Sequence, residues 1–560
     1  MFSSLYAQKP ATNGSFSSPL KPPFLFAGNF GELRPVHFHS GLDFRTQGRT
    51  GLPVYAVKDG YISRIGISTT GYGNALYMNH PDGTTSVYGH LERFQPRIQE
   101  YVKNKQYESE SFLINLTVSS GEFNFKKGEI IAWSGNSGSS GGPHLHFEIR
   151  NTKSERAYNP VFYIPGIRDN SAPKIKALYV YPLNDNSFVG KVNSKKRYET
   201  VTVPGGYRIP GNAVIELSGK IGFGIQADDD FNGAGFRCGI FSATLLCDGK
   251  QVFGFKMDNF SFDDMRYANS QADYEEYQHT KRWVHRLYRQ PGNHLDIYEP
   301  ADKNGILNME DRKAHEFEVI ISDAFNNKVN LKFRTMGSKI HSKTENQKIT
   351  AHFQYDDSNQ FENDELRVNM PKGALYDNLG FIWKSGPKSA GYYSAVEQVS
   401  SKYVPLQLPY SLSIKCESLP DNLRSKALIV AIDPKTKQKA AVGGEYSGGW
   451  VTVKTYLFGS FAVAIDITPP VITPINIKGE KDPGNKTKMI FRIGDNLSGI
   501  KSWRGEIDGE WALFEYEAKT GILTYTFDKR RVTFGKSHLL RLIVTDNKGN
   551  SAVYKSIIYK

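Results

Sequence analysis

Five residues carry the strongest chemical signal in this chain. His39 and Asp43 lie four apart in HFHSGLDF, His90 follows the glycine of SVYGHL, and His144 and His146 stand two apart in GGPHLHFEIR. Imidazole nitrogens and a carboxylate oxygen are natural zinc ligands, and a set of two histidines and one aspartate leaves a fourth position for water. The metal lowers the pKa of such a water to about 7. A structural zinc site would want four protein ligands instead. The two histidines left over suit proton transfer and stabilisation of the oxyanion that develops when a peptide carbonyl is attacked. Spacing alone does not say which histidine does which.

These side chains need elements that point them at one another. GLDFRT alternates like a strand, so the even separation predicts His39 and Asp43 on one face. In HLHFEIR, alternation predicts His144, His146, Glu148 and Arg150 on one face and Leu145, Phe147 and Ile149 on the other. That sets the two imidazoles roughly 7 Å apart on a surface that is not the core. LYMNHPDGTTSVYGHL reads as a hairpin turning at Pro-Asp-Gly, with Tyr88 and His90 on one face of its second strand. Gly41, Gly135, Gly138, Gly141 and Gly142 read as turn formers that let backbones pass close together. His37, two positions before His39, and His80 read as structural histidines. Glu148 reads as one half of a surface pair. His285, His294 and the other downstream histidines have no partners at ligand spacing.

The rest of the chain bounds the class. Its 560 residues exceed what one hydrophobic core usually organises, so several domains are expected. With 39% hydrophobic residues, 13% aromatics, 52 Gly and 27 Pro, the composition reads as globular and strand-rich, with many short elements joined by turns. The excess of 70 Lys+Arg over 57 Asp+Glu gives a formal +13 and favours contact with polyanions such as nucleic acid, anionic cell-wall polymers or lipid headgroups. No basic run or aromatic-basic motif marks a nucleic-acid module, and none is expected. Cys238, Cys247 and Cys416 are too few for a disulfide scaffold and read as small buried hydrophobes. No apolar run approaches the roughly 20 residues of a membrane-spanning helix. MFSSLYAQKP reads as the end of a secretory leader, which predicts export.

Internal similarity organises the remainder. DNSAPKI at Asp169 and DITPPVI at Asp466 each place Asp four residues before Pro at the start of an alternating run. DDDFNGAGF is similar to GDNLSGI, and EFEVIISDAFNN to LRLIVTDNKGN. Alternating strands that run into Asp-rich turns, twice over, predict two immunoglobulin-like sandwiches. The fold class is therefore mainly β and multidomain. The expected division is a leader remnant and arm at 1–24, a metal-bearing β domain at 25–165, and an immunoglobulin-like sandwich at 166–340. A β domain of unnamed type at 345–466 and an immunoglobulin-like domain at 467–560 follow. The insertion DDMRYANSQADYEEYQHTKRWVHRLYR has partly helical spacing and aromatics that are expected to pack locally.

HSGLD, YGHL and GNSGSSGGPHLHFE, in that order, resemble the lysostaphin/LytM-type zinc metallopeptidases. FGELRP, GYGNALYMNH and Asn159-Pro160 agree with that resemblance, which covers roughly residues 25 to 165. It implies that His39, Asp43 and His146 bind one Zn2+ and that His90 and His144 are the catalytic pair. It also implies a small antiparallel β core with a groove across it, and cleavage of the peptide stems or cross-bridges of bacterial peptidoglycan. The choice of His39 over His37 rests on the resemblance alone. The segment from Arg93 to Asn124 departs from the family pattern, with a place beside the groove expected for it. The expected protein is an exported zinc endopeptidase of the periplasm, cell envelope or extracellular space, with peptidoglycan as substrate and cell-envelope partners on its β domains. The alternatives are a non-catalytic scaffold or activator of another wall hydrolase, and a wall-binding or adhesion protein.

Overall fold

A computed structural model describes residues 16–233, 236–339, 348–417, 419–477 and 486–560. The leader-like MFSSLYAQKP lies outside them. The chain is mainly β, as its composition predicts. Among the described residues no helix is long and apolar enough to cross a membrane.

The first sheet is built from β1 (Phe26–Gly28), β2 (Leu42–Arg45), β3 (Gly60–Ile67), β4 (Asn74–Asn79), β5 (Thr84–Gly89), β6 (Ile114–Thr117) and β7 (His144–Asn151). Its order is β1-β2-β7-β5-β4-β3-β6, antiparallel throughout. Leu145, Phe147 and Ile149 of β7 bury against Phe44, Tyr88, Ile62 and Met78, so one side of the alternation predicted for HLHFEIR is the apolar core. The other side is not surface. His146, Glu148 and Arg150 are also buried, because Tyr72 and the Phe262 ring of the following domain cover them.

Strand β7 is central, and its register does the positioning. It pairs with β2 so that His146 stands opposite Asp43, and with β5 so that His146 stands opposite Gly89. Directly opposed residues in an antiparallel pair have Cβ atoms about 5 Å apart, which brings side chains from distant parts of the sequence within bonding reach.

Among the described residues three further large hydrophobic cores follow, beside two small clusters. The second is a sandwich whose sheets contain Lys174–Pro182 with Lys220–Asp228, and Ser242–Cys247 with Ala314–Ser322 and Lys328–Gly337. The third packs two five-stranded sheets around Val368, Leu412, Ile429 and Val463, and the fourth packs two four-stranded sheets around Phe491, Leu523 and Leu542. The first two cores interlock across the junction. Phe30 and Phe38 belong to the second core, where Phe30 stacks on Phe260 at 4.6 Å, whereas Phe231 and Cys238 belong to the first. The aromatic insertion folds into short helices, Ala268–Gln271 and Tyr274–Thr280, that pack locally, with Tyr277 stacked on Trp283 at 3.8 Å. Cys238, Cys247 and Cys416 are free thiols.

Candidate metal centre

His39, Asp43 and His146 meet. His39 Nε2 lies 3.0 Å from Asp43 Oδ1 and 3.0 Å from His146 Nδ1, and His146 Nδ1 lies 2.9 Å from Asp43 Oδ1. All three residues are buried. The convergence does not come from alternation along one strand. His39 follows a two-residue strand, Asp43 lies on β2, and the chain turns a corner between them at Ser40-Gly41. At Gly41 a Cβ would sit 2.3 Å from the Phe147 carbonyl oxygen, so the corner admits no side chain. Gly141 and Gly142 open onto space and impose no such limit.

The outer nitrogens of both imidazoles are committed elsewhere. His39 Nδ1 lies 2.8 Å from the Asn29 carbonyl, which can only accept, so Nδ1 carries the proton and Nε2 turns a lone pair inward. His146 Nε2 donates to Glu148 Oε1 at 2.7 Å, which turns Nδ1 inward. The second carboxylate oxygen of Asp43 accepts from the Arg34 guanidinium at 3.1 Å, leaving Oδ1 for the centre. Two lone pairs and an anionic oxygen thus face one another within 3.0 Å, an arrangement that requires positive charge between them. In the metal-free protein a proton supplies it: burial pulls His146 down, but the Asp43 and Glu148 carboxylates outweigh burial and hold it up at about 9. A metal ion fits in the proton's place. Ligands of a tetrahedral zinc at its usual bond lengths stand about 3.3 Å apart, close to the edges of this triangle. Imidazoles anchored through their far nitrogen to a carbonyl and a carboxylate match the outer shell that orients metal-bound histidines.

His90 and His144 flank the triangle. Their rings are 4.7 Å apart, and His144 Nε2 is 3.4 Å from Asp43 Oδ1. His90 Nδ1 donates to the Ser137 carbonyl and His144 Nδ1 to the Gly142 carbonyl, both at 2.8 Å, so each ring keeps its Nε2 lone pair. Burial, with help from the facing imidazoles of His146 and His144, pushes His90 down to about 3, so it is neutral and able to accept a proton. Tyr88 and His90 do not share a face. His90 has φ 58° and lies beyond the end of β5, so the left-handed turn swings its ring toward His144 while Tyr88 stays in the core with Phe147.

His37 is exposed and lies 2.9 Å through Nδ1 from the Pro35 carbonyl, and His80 is held between Asp59 O and Ser86 Oγ, as expected of a structural histidine. Glu148 departs from expectation. It is fully buried, and its Oε1 accepts from His146 Nε2, Ser40 Oγ and Tyr72 OH, while Oε2 accepts from Arg150 Nε at 2.7 Å. Its placement on the His146 face of β7 was the available signal, and burial of that face was the missing fact. Arg34 was missed too, although FGELRP contains it.

The segment from Arg93 to Asn124 forms a helix, α1 (Pro96–Glu108), and the sheet-edge strand β6. It docks on the carboxy-terminal β domain. Tyr107 donates to Asp528 at 3.1 Å and meets Trp511 edge-on at 5.2 Å, and Lys103 pairs with Asp528 at 2.6 Å. From the same domain, Lys519 Nζ donates to the carbonyls of Asn136 and Ser140 on the loop that leads into His144.

A small antiparallel β domain that buries a His/Asp/His triangle beside two further imidazoles carries a candidate metal centre, and the comparisons name the domain's kind. Residues 37–108 match peptidase family M23, and residues 350–466 match the Zu5-like domain. The chain therefore carries an M23 peptidase domain followed by further β domains. It is 34% identical over 118 residues to the DD-carboxypeptidase/endopeptidase Mpg of Neisseria meningitidis serogroup B, covering 21% of each chain. It is 30% identical over 129 residues to lysostaphin of Staphylococcus staphylolyticus, covering 22% of each. The solved catalytic domain of lysostaphin from Staphylococcus simulans is 27% identical, covers 25% of this chain and 91% of its own, and has a TM-score of 0.19. The chain spans about a fifth of the length of the curated relatives it matches.

Proposed function

We propose that the chain is a zinc-dependent endopeptidase that hydrolyses the peptide stems or cross-bridges of bacterial peptidoglycan. The observation that carries this reading is the meeting of His39 Nε2, Asp43 Oδ1 and His146 Nδ1 within 3.0 Å, with the far nitrogens of both histidines already committed. These three residues would hold Zn2+. When bound, the ion supplies a Lewis acid that polarises the scissile carbonyl and acidifies a water. His90 Nε2, kept as a lone pair by the Nδ1 bond to Ser137, takes the proton of the attacking water. His144, held at Nδ1 by Gly142, turns Nε2 toward the reacting centre, where with a proton on Nε2 it would donate to the oxyanion, and His90 passes the proton it has taken to the leaving amine. Burial of the triangle excludes competing water and strengthens each of these interactions.

The similarity to the DD-carboxypeptidase/endopeptidase Mpg supports a peptide-bond hydrolase, and the formal +13 suits an anionic wall polymer. An exported protein of the cell envelope follows from that substrate, with the trailing β domains as its contacts to other envelope components. The test is incubation of the zinc-loaded protein with peptidoglycan, with and without chelator, and mass spectrometry of the released peptides. New amino termini appearing only in the metal-loaded sample are expected. Release that is equal in the metal-free sample, or absent from both, overturns the proposal.

A further inference from the structure

The three repeated Asp motifs converge in space within the second domain. Asp169 enters the second domain, Asp229 follows the strand Lys220–Asp228, and Asp323 follows Ala314–Ser322. One oxygen from each lies within 4.8 Å of the others, and all three residues are buried. Oxygens bound to a single Ca2+ at about 2.4 Å stand no farther apart than about 4.8 Å.

Two observations set this cluster apart from an ordinary acidic turn. Asp169 is 4% exposed, and its Oδ2 is buried and accepts no hydrogen bond, whereas Oδ1 accepts from the amides of Ser171 and Asn232. A buried carboxylate oxygen without a donor is costly unless a cation satisfies it. Among the described residues, no Lys, Arg or His lies within 4.0 Å of the three carboxylates, and the neighbouring Asp228 takes Lys176 for itself.

The carboxy-terminal domain repeats the arrangement, including a buried carboxylate oxygen, Asp495 Oδ1, that has no hydrogen-bond partner among the described residues. Asp466, Asp495 and Asp546 converge in the same way. Asp323 and Asp546 each accept from the amides two and four residues on, and Asn327 and Asn550 each donate back to the carbonyl of Asp169 or Asp466, at 3.0 and 2.9 Å. Two positions after Asp546 stands Lys548, whose amine donates to the Gly444 carbonyl at 2.6 Å. Two positions after Asp323 stands Phe325, packed on Phe231 of the first core at 5.7 Å.

We propose that Asp169, Asp229 and Asp323 bind a calcium ion at the joint between the peptidase domain and the β domain behind it. The donors are all oxygen, which selects a hard cation, and a buried cage built from protein carboxylates suits Ca2+, since Mg2+ keeps several waters. The ion ties the entrance strand to two loops, one of which carries Phe231 into the peptidase core.

The test uses the full chain, stripped of metal and reloaded with zinc, titrated with CaCl2 in a calorimeter and followed by thermal unfolding. Wild type is expected to take up Ca2+ and to melt at a higher temperature with it. Asp169→Asn and Asp229→Asn, which keep side-chain volume, are expected to take up one equivalent fewer while melting no lower than metal-free wild type. Wild type that shows neither heat nor a melting shift up to about 10 mM CaCl2, above the range of weak protein calcium sites, overturns the proposal. So does an undiminished uptake in either variant, or an equal response to MgCl2.

Discussion

Glu148→Gln separates the roles of the carboxylate behind His146. The substitution keeps the shape and one acceptor oxygen but removes the charge. Arg150 Nε, 2.7 Å from Glu148 Oε2 and only 4% exposed as a residue, then belongs to a buried cation left with only the more distant and exposed Glu155 carboxylate, 3.5 Å from Nη1. Removing one partner of a buried pair costs about 3–5 kcal/mol, and the lower end applies here because Arg150 keeps Tyr72 OH at 3.1 Å and the Phe262 ring at 3.9 Å. At the metal, loss of an outer-shell carboxylate weakens affinity about 10- to 100-fold, or about 1.4–2.7 kcal/mol. Urea unfolding of the metal-free protein reads the first effect, and zinc competition against a chromophoric chelator reads the second. Adding Arg150→Met removes the stranded cation, so the double variant is expected to regain most of the stability while zinc stays weak. A Glu148→Gln protein that holds zinc within about twofold of wild type, a difference of only about 0.4 kcal/mol, refutes the orienting role. A double variant no more stable than the single one refutes the stranded-charge account.

Four other outcomes are expected. His146→Ala loses zinc and peptidoglycan release together, whereas His144→Ala loses release by at least about 100-fold and keeps its zinc, as elemental analysis beside the peptide assay will read. Gly41→Ala forces the corner against Phe147 O and costs about 1–3 kcal/mol in metal-free unfolding. Tyr107→Ala removes a bond to the Asp528 carboxylate and an edge-on contact with Trp511; it lowers the unfolding transition of the carboxy-terminal domain by about 2 kcal/mol, measured by calorimetry. His538 is pulled down by burial, but the Thr533 carbonyl and Asp508 outweigh that and raise it above 6.5. Its contribution is present in full below pH 6.5 and is lost as pH rises through the raised value, so thermal melts from acid to alkaline pH show a decline that His538→Gln lacks.

The alternation in HLHFEIR and the Pro-Asp-Gly turn of the hairpin are local features, set by strand geometry and turn chemistry, and both stand in the fold as read. So do the β-rich class, the structural role of His80, and the local packing of the aromatic insertion. The reading of Tyr88 and His90 on one face failed because a single left-handed residue at His90 breaks the period of two, and nothing in the residue type announces it. Glu148 was passed over because periodicity tells which residues share a face, not whether that face is covered. Coverage comes from Tyr72, on a distant loop, and from Phe262, in another domain.

Residue types and their order along the chain determined which ligands are on offer, two imidazoles and a carboxylate with two imidazoles to spare, because coordination chemistry is a property of the side chains. Only tertiary structure decided that Asp43 faces His146 across β2 and β7, that Arg34 occupies one oxygen of Asp43, and that three aspartates far apart in sequence meet at the domain joint. Those facts depend on strand register and on interlocked cores, which arise from contacts between segments tens to hundreds of residues apart. No local pattern carries that information.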